Sequence, residues 1–308
     1  MEKKTALLFA GQGAQYVGMG KDLLAQYAVA KDLFEKANGI LGFDLARVCC
    51  EGPEAELTRT ENCQPAIFLV SWIALQLLRE KAPALTFEAT AGLSLGELTA
   101  LTAGGAFGFE DGLKIARQRG RFMQEACDVT RGGMAAVLGL DAATTRAVCA
   151  EADVEMANLN CPGQIVISGE SEKIARAVEL AKARGAKRAV ALTVAGAYHS
   201  RLMASAQPKV RALMADVAVS VPHIPVISNV TAEPHQGPAQ IRERLAEQVI
   251  SPVRWEDSIR FLLAQGFTRF IELGPGTALN GFLKRIDKNA QGLNVGDVPS
   301  LDLTLKAL

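Results

Sequence analysis

One serine lies in a sequence pattern that is typical of a catalytic nucleophile. Residues 92–96 read GLSLG, a G-x-S-x-G pattern between a predicted strand at 89–92 and a predicted helix at 95–102. This is the context of a nucleophile elbow, in which small residues permit a tight, strained turn that exposes the Oγ of Ser94. The N–H groups that follow belong to a helix N-terminus and can stabilise an oxyanion, while Glu97 complements the helix dipole. The pattern alone also fits an ordinary glycine-rich βα turn.

A serine nucleophile needs a base, and histidine is the usual one. The chain has three histidines. His223 and His235 follow prolines, and either can be an exposed loop residue. His199 lies in AGAYHS at 195–200, at the predicted junction of two domains, where binding sites tend to form. No aspartate is placed between Ser94 and His199 as an obvious third member, so spacing alone leaves His199 as a base or a structural histidine.

A second glycine-rich segment, FAGQGAQ at 9–15, directly follows the first predicted strand. Its loop would lie at the same carboxyl edge of the sheet as Ser94 and could supply the second half of an oxyanion hole. The other interpretation is a phosphate-binding loop. The segment lacks the full dinucleotide pattern, and no G-K-[ST] follows, so that interpretation is weak.

Composition and charge exclude several classes of function. The 308 residues contain 33 Lys and Arg against 33 Asp and Glu, without the basic excess of a nucleic-acid-binding protein. No window is apolar over the ~20 residues of a membrane helix, and the first apolar run is too short for a secretory signal. The six cysteines match neither a zinc site nor a redox pair. We therefore expect a cytoplasmic protein without metal, membrane or nucleic acid.

The elements that position these residues alternate short apolar runs with longer helical patterns. This alternation is typical of an α/β fold with a largely parallel sheet. Strands are predicted at 5–9, 89–92, 225–228 and 268–272. Helices are predicted at 21–38 (ended by Gly39 or Gly42), 65–80 (opened by Pro65), 95–102, 110–126, 201–215, 239–248 and 256–265, with a last helix after 274–276.

The stretch 131–196 has a different order. It reads as strand 134–138, helix 142–151, strands 154–159 and 164–168, helix 171–184 and strand 188–194, with a turn at 160–163. That βαββαβ order is the ferredoxin-like split motif. We therefore expect an α/β-hydrolase-like catalytic core, residues 1–130 and 197–308, with an inserted ferredoxin-like small subdomain, residues 131–196.

Several ordered motifs together identify a family. They are FAGQGAQ at 9–15, QPA at 64–66, GLSLGE at 92–97, RGRFMQ at 119–124, NCPGQ at 160–164, YHS at 198–200 with LM at 202–203, SNV at 228–230, the segment 248–255 and LGPG at 273–276. Over nearly its whole length, the sequence resembles the malonyl-CoA–acyl carrier protein transacylase family. Each motif alone is weak, but their agreement in order and spacing is highly specific.

The resemblance assigns catalytic roles. It implies that Ser94 forms a malonyl ester and that His199 is its general base and later the acid that protonates the leaving thiol. The family has no triad aspartate. Its histidine is oriented by a main-chain carbonyl at the position of Gln248, while Gln12 and the N–H of Leu95 match the oxyanion hole.

The resemblance also assigns the substrate-binding residues. Arg119 matches the arginine that pairs with the free carboxylate of the malonyl group, and a guanidinium binds a carboxylate bidentately. Gln64, in the QPA motif, is placed in the same group. Tyr198 matches a bulky aromatic residue that accompanies malonyl rather than methylmalonyl in related acyltransferases. A methyl group changes pocket affinity by only ~1–3 kcal/mol, so Tyr198 implies a preference.

The sequence departs from the family at two positions. Leu93 replaces the usual histidine before the nucleophile, which leaves the base and oxyanion donors in place but can alter the pocket or the rate. Ala10 replaces the usual proline before the first Gly-Gln-Gly and frees one loop dihedral. We expect the second change to be minor.

The resemblance implies a ping-pong transfer of malonyl from CoA to the phosphopantetheine thiol of holo acyl carrier protein, in fatty acid biosynthesis. No metal or redox cofactor is implied, and we expect a monomer. Because carrier proteins are usually acidic, a basic patch is expected, at 184, 187 and 188 or at 284 and 285. The alternatives are a trans-acting acyltransferase of a polyketide pathway, an esterase or thioesterase, and a non-catalytic carrier-docking module.

Overall fold

The computed structural model describes residues 3–308, which form two β-sheets and fourteen α-helices. The strands are β1 Thr5–Phe9, β2 Ala89–Gly92, β3 Gly132–Leu138, β4 Glu155–Cys161, β5 Gln164–Glu170, β6 Arg188–Ala191, β7 Val226–Ile227, β8 Arg269–Leu273 and β9 Gln291–Val295. The helices are α1 Lys21–Gln26, α2 Ala28–Leu41, α3 Leu45–Glu51, α4 Glu54–Thr58, α5 Thr60–Lys81, α6 Gly96–Ala103, α7 Phe109–Asp128, α8 Ala142–Ala152, α9 Ser171–Ala183, α10 Gln207–Ala215, α11 Pro238–Gln248, α12 Trp255–Ala264, α13 Ala278–Ile286 and α14 Val298–Ala307.

The larger sheet is parallel and has the order β7-β2-β1-β8-β9. Leu7 and Phe9 of its central strand belong to one apolar cluster, whereas Ala6 and Leu8 belong to another. Successive strand residues point to opposite faces, so β1 has a core on each side, as parallel sheets require. The loops after β1, β2 and β8 meet at one edge of this sheet and position the site described below.

The second sheet is antiparallel, with the order β4-β5-β3-β6 and an apolar cluster of its own, to which α8 and α9 contribute. This is the strand order of the ferredoxin-like split motif. Its four strands lie between residues 132 and 191. The predicted fold class, a parallel α/β core with a small antiparallel subdomain, is confirmed. The subdomain limits at residues 131 and 196 stay a prediction.

Helix α5 begins earlier than the sequence predicts. We expected Pro65 to open a helix at 65–80, but Pro65 lies inside a helix that begins at Thr60. Proline lacks the N–H that would bond to the carbonyl four residues earlier, which here belongs to Glu61. Arg117 of α7 donates to that carbonyl at 2.6 Å. A tertiary contact thus satisfies the acceptor that Pro65 leaves open, and the helix continues.

Other differences concern element boundaries. The helix predicted at 21–38 is two helices, because Tyr27 between them is extended, and the second ends at Gly42 with φ of 73°, not at Gly39. Strand β6 stops at Ala191 instead of 194. The helix predicted at 201–215 consists of a 3₁₀ turn, Arg201–Met203, and α10.

Four elements have no counterpart in the prediction, namely α3, α4, β9 and α14. Strand β9 is an edge strand whose residues are mostly half-buried, so it lacks the apolar run of an inner strand. A capping box at Asp297 and Ser300, with a proline between them, marks the start of α14. Within residues 3–308, none of the helices is long and apolar enough to cross a membrane.

Candidate active site

Ser94 lies at the tight turn between β2 and α6, with a backbone φ of 54°. This left-handed value is uncommon for a residue with a side chain and marks a strained position. A Cβ on Gly92 would lie 1.9 Å from the carbonyl carbon of Gly96. A Cβ on Gly96 would lie 2.2 Å from the carbonyl oxygen of Phe9. The two glycines of the pentapeptide are therefore required by the backbone contacts of the elbow.

Ser94 is hydrogen-bonded to His199. The distance from Ser94 Oγ to His199 Nε2 is 2.8 Å, and both residues are buried. The other ring nitrogen, Nδ1, lies 2.8 Å from the main-chain carbonyl of Gln248. A carbonyl only accepts, so Nδ1 carries the hydrogen and Nε2 is left to accept from the serine hydroxyl. The pair is thus arranged for proton abstraction without a carboxylate behind the histidine.

The environment of His199 keeps it neutral. Burial lowers its pKa to about 4, and the charge of Arg119 acts in the same direction. The carbonyl of Gln248 raises this pKa, but by less. At neutral pH the ring therefore exists as the free base, which is the form that can take a proton.

Arg119 of α7 is a buried cation beside the serine. Its Nη2 donates to Ser94 Oγ at 3.2 Å and to Gln248 Oε1 at 2.7 Å, and its Nη1 donates to Gln64 Oε1 at 2.7 Å. Within residues 3–308 no carboxylate forms an ion pair with it, and its Nε has no acceptor. Burial lowers its pKa to about 10, so it stays charged at neutral pH. A buried guanidinium that lacks a counter-ion is suited to bind an anionic group of a ligand.

Asn229, which lies in the SNV motif, fixes the backbone of the elbow through its side-chain amide. Its Oδ1 accepts from the N–H of Ser94 at 2.6 Å, and its Nδ2 donates to the carbonyl of Gly92 at 2.8 Å. One amide therefore fixes the backbone on both sides of Leu93. Sequence reasoning gave this residue no role, although the motif that contains it was a signal.

Gln12 and Leu95 flank the serine with free N–H groups. Among the described residues, neither backbone N–H has a hydrogen-bond acceptor. The side chain of Gln12 donates to the hydroxyl of Tyr198 at 3.1 Å, and that hydroxyl lies 2.5 Å from Thr60 Oγ1. The Gln12 side chain is therefore engaged, so the backbone N–H is the group left to stabilise an oxyanion. Burial raises the pKa of Tyr198, which keeps its hydroxyl protonated.

A cleft of about 760 Å³ opens over Ser94 and His199 between the parallel sheet and the second sheet. Gly11, Gln12 and Leu93 line one side, and Asn158, Asn160 and Val166 line the other. Asn160 Oδ1 is buried with no donor in residues 3–308. It is a further polar atom free for a ligand, which the sequence analysis did not identify.

The two other histidines differ in burial. His223 is exposed, as expected of a loop residue. His235 is buried, and its Nε2 lies 2.7 Å from Glu97 Oε1. Of the two histidines that the sequence left open as exposed loop residues, His235 is therefore not one, because the fold places its loop against α6. Among the described residues, no group of three or more His, Cys, Asp and Glu side chains is arranged to hold a metal ion.

Comparison with known proteins assigns the chain to a family. The family model for the acyl transferase domain matches residues 6–299. The malonyl CoA-acyl carrier protein transacylase of Bacillus subtilis (strain 168) is 44% identical over 310 residues, 99% of this chain and 97% of that protein. The acyl-carrier-protein S-malonyltransferase from Burkholderia pseudomallei 1710b has a TM-score of 0.94 at 42% identity, over 98% of this chain and 99% of that one. A malonyl-transacylase in complex with its type II PKS acyl-carrier protein has a TM-score of 0.95 at 36% identity, over 99% and 100%. The chain therefore belongs to the acyl transferase family.

Proposed function

We propose that this enzyme transfers a malonyl group from malonyl-CoA to the phosphopantetheine thiol of holo acyl carrier protein, through a malonyl ester on Ser94. The observation that carries the proposal is the Ser94–His199 pair beside Arg119, a buried cation without a counter-ion. The pair supplies a nucleophile and base, and the cation supplies a partner for the free carboxylate of malonyl. Relatives that match over nearly the whole chain are named for this transfer.

The proposed mechanism has two half-reactions. His199 Nε2 takes the proton of Ser94 as Oγ attacks the thioester carbon, and the N–H groups of Gln12 and Leu95 stabilise the oxyanion. The C–S bond breaks, and His199 returns the proton to the CoA thiolate. In the second half, His199 takes the proton of the carrier's thiol, the sulfur attacks the malonyl ester, and Ser94 leaves with the proton. The carbonyl of Gln248 keeps the ring oriented throughout.

The residues around the acyl group fit a small carboxylated substrate. Arg119 is the proposed partner of the malonyl carboxylate, and Gln64 helps to hold its guanidinium in place. The ring of Tyr198 lines the cleft, and its hydroxyl is fixed by Thr60 and Gln12. A ring held in this way does not swing aside for a branch at the α-carbon, which supports a preference for malonyl over methylmalonyl.

The carrier is proposed to dock beside β6. Of the basic residues considered, Arg184 pairs with Glu151, and Arg285 donates to Gln164 and to the carbonyl of Pro162. Lys187 and Arg188 are exposed, and within residues 3–308 neither has an ion-pair partner. The chain continues from them to residues 192–195, which line the cleft, so a carrier bound here would deliver its thiol to Ser94.

We also propose that the protein acts in the cytoplasm as a monomer. The six cysteines, all within the described residues, are free and buried, which is typical of a reducing compartment. The monomeric state stays a prediction from the sequence. Fatty acid biosynthesis is the proposed pathway. A polyketide pathway is the second candidate, because one structural relative was solved with a type II PKS carrier.

The pH profile of acylation is expected to reflect the buried histidine. The lowered pKa of His199, about 4, means that the neutral base persists well below the pH at which an ordinary histidine, with a pKa near 6.5, is protonated. We expect kcat/KM for malonyl-CoA to stay level from pH 8 down to about pH 5 and to fall only below it. Initial rates should be measured with circular dichroism at each pH, so that unfolding is not mistaken for protonation. A fall in kcat/KM with its midpoint at or above pH 6.5 would contradict the assignment of a buried, neutral His199 as the base.

The proposed function is tested by intact-protein mass spectrometry after brief incubation with malonyl-CoA. Wild type is expected to gain one malonyl group, Ser94→Ala none, and holo carrier is expected to remove the adduct from wild type. Release of CoA without an adduct would contradict the proposal and show that the protein is a thioesterase. No adduct and no CoA release would favour a carrier-docking module without catalysis.

A further inference from the structure

We infer that Glu97, held by His235, is a positioning residue that fixes the side-chain amide of Gln248 and thereby aims Arg119 at the acyl carboxylate. The inference rests on the proposed function, because it concerns the selectivity of the same site. It assigns a role to a buried acid and a buried histidine that the mechanism itself does not use.

The carboxylate of Glu97 is fully buried in the first turn of α6, three residues after Ser94. It accepts three hydrogen bonds, from His235 Nε2 at 2.7 Å, from Gln248 Nε2 at 2.6 Å and from the N–H of Asn229 at 3.1 Å. Every partner is a donor, which is the arrangement that an ionised carboxylate requires in a buried site. Asn229 is the residue that also holds the elbow.

The direction of the Gln248 amide is determined by what surrounds it. Its oxygen accepts from Arg119 Nη2, while its nitrogen donates to Glu97 Oε2 and, at 3.0 Å, to the carbonyl of Ser94. Turning the amide over would place its NH₂ group against the guanidinium and its oxygen against the carboxylate of Glu97. Both contacts would be repulsive, because neither offers a donor to an acceptor. Arg119 on one side and Glu97 on the other are the charged groups in this set, so together they contribute most to the preferred direction, and Glu97 is the one that holds the NH₂ end.

Gln248 holds two functional groups at once. Its main-chain carbonyl orients His199, and its side-chain oxygen holds Arg119. Within residues 3–308, Arg119 has no ion-pair partner, and Glu97 is the acid whose charge raises its pKa, against the larger lowering by burial. The amide of Gln248 thus lies between the guanidinium of Arg119 and the carboxylate of Glu97, so the position of Glu97 determines where Arg119 is held.

The ring of His235 bonds to Glu97 and, within residues 3–308, makes no other hydrogen bond. Its Nδ1 is buried without a partner, so the ring donates through Nε2 alone. If Nε2 became the acceptor, the hydrogen would move to Nδ1, where it would be buried and unsatisfied. The histidine therefore holds Glu97 in the accepting role.

The test uses Glu97→Gln and compares kcat/KM for malonyl-CoA with that for acetyl-CoA. An NH₂ group turned toward His235 would leave a buried Nδ1–H unsatisfied, so the new amide is expected to accept from His235 and to turn its NH₂ group toward Gln248, which drives that amide to turn over. Because acetyl has no carboxylate, loss of the contact between Arg119 and the acyl carboxylate affects malonyl alone, whereas any effect through Ser94 affects both substrates. We expect the malonyl-to-acetyl ratio to fall about tenfold. An unchanged ratio would overturn the inference.

A compensating variant tests the direction of the hydrogen bonds. In Glu97→Gln with His235→Glu, a carboxylate at position 235 accepts from the new NH₂ group, and the new oxygen accepts from Gln248. The ratio is expected to return to within about threefold of wild type. A double variant that stays at the level of Glu97→Gln would show that the effect does not pass through the Gln248 amide, and would overturn the inference.

Two further variants complete the design. If Glu97→Gln does not fold, two variants of His235 replace it. His235→Gln keeps a donor for Glu97 and is expected to keep the malonyl-to-acetyl ratio, whereas His235→Leu is expected to lower it. Equal ratios for the two variants would overturn the inference.

Glu272→Gln is the matched control, because Glu272 is a buried acid that accepts instead from the N–H groups of Leu279 and Asn280. This substitution is expected to change kcat/KM for malonyl-CoA and for acetyl-CoA by the same factor. Failure of the proposed function would show in wild type, as an absence of malonyl transfer.

Discussion

Replacing Ser94 by alanine is expected to lower kcat/KM for malonyl transfer at least about 10⁴-fold, and adding His199→Ala is expected to lower it little further. The reason is the 2.8 Å hydrogen bond between Oγ and Nε2, which makes the two side chains one functional unit. Without the hydroxyl, the base has no proton to remove. Without the base, the hydroxyl is a weak nucleophile at neutral pH. The measurement is steady-state transfer to holo carrier for both single variants and the double variant.

The control for this experiment is the folded state of each variant, followed by its thermal unfolding. Ser94 has a positive φ, but alanine can be held there by the hydrogen bond that Asn229 makes to the backbone N–H, so Ser94→Ala is expected to fold. His199→Ala alone is expected to lower the rate by about 10²–10⁴-fold, the usual contribution of acid–base catalysis. Independent, multiplicative losses from the two substitutions would mean that Ser94 and His199 do not act together.

Replacing Arg119 by leucine is expected to abolish the preference for a carboxylated acyl group. We expect kcat/KM for malonyl-CoA to fall about 100-fold, since loss of one partner of a buried charge pair costs about 2–5 kcal/mol. The rate of acylation by acetyl-CoA is expected to change by less than about threefold. The physical reason is that Arg119 has no counter-ion of its own within residues 3–308, so the carboxylate of the substrate supplies it. Acyl-enzyme formation from each thioester, followed by mass spectrometry, measures both effects.

Arg119→Lys is the matched control for the leucine variant. Lysine keeps the charge but loses the fork that reaches Gln64 and Gln248 together. We expect it to retain part of the malonyl preference. Within residues 3–308 Arg119 has no ion-pair partner, so leucine at this position leaves no buried carboxylate without its cation, and the variant is expected to fold. Equal loss with malonyl-CoA and acetyl-CoA would contradict the proposed role of Arg119.

The sequence alone determined the parts of the site that depend on local structure. A strand, a G-x-S-x-G turn and a helix form the elbow through contacts within a few residues, so Ser94 was recognisable from residues 89–102. The fold class followed from the alternation of strands and helices, and the strand order of the second sheet followed from its βαββαβ pattern. The family resemblance, which the comparisons confirm, added the roles of His199, Arg119 and Gln248 as expectations.

The tertiary structure alone decided which distant groups meet. The side chain of Gln248 bonds to Arg119, Glu97 and the carbonyl of Ser94, which lie about 130 to 150 residues away in the chain. No local pattern carries such contacts. For the same reason the sequence left open an exposed position for His235, which is buried against Glu97. It also predicted a helix start at Pro65, although Arg117 lets the helix continue through that residue. Periodicity reports the burial of a helix or strand face, but hydrogen-bond partners across the core are fixed only when the chain is packed.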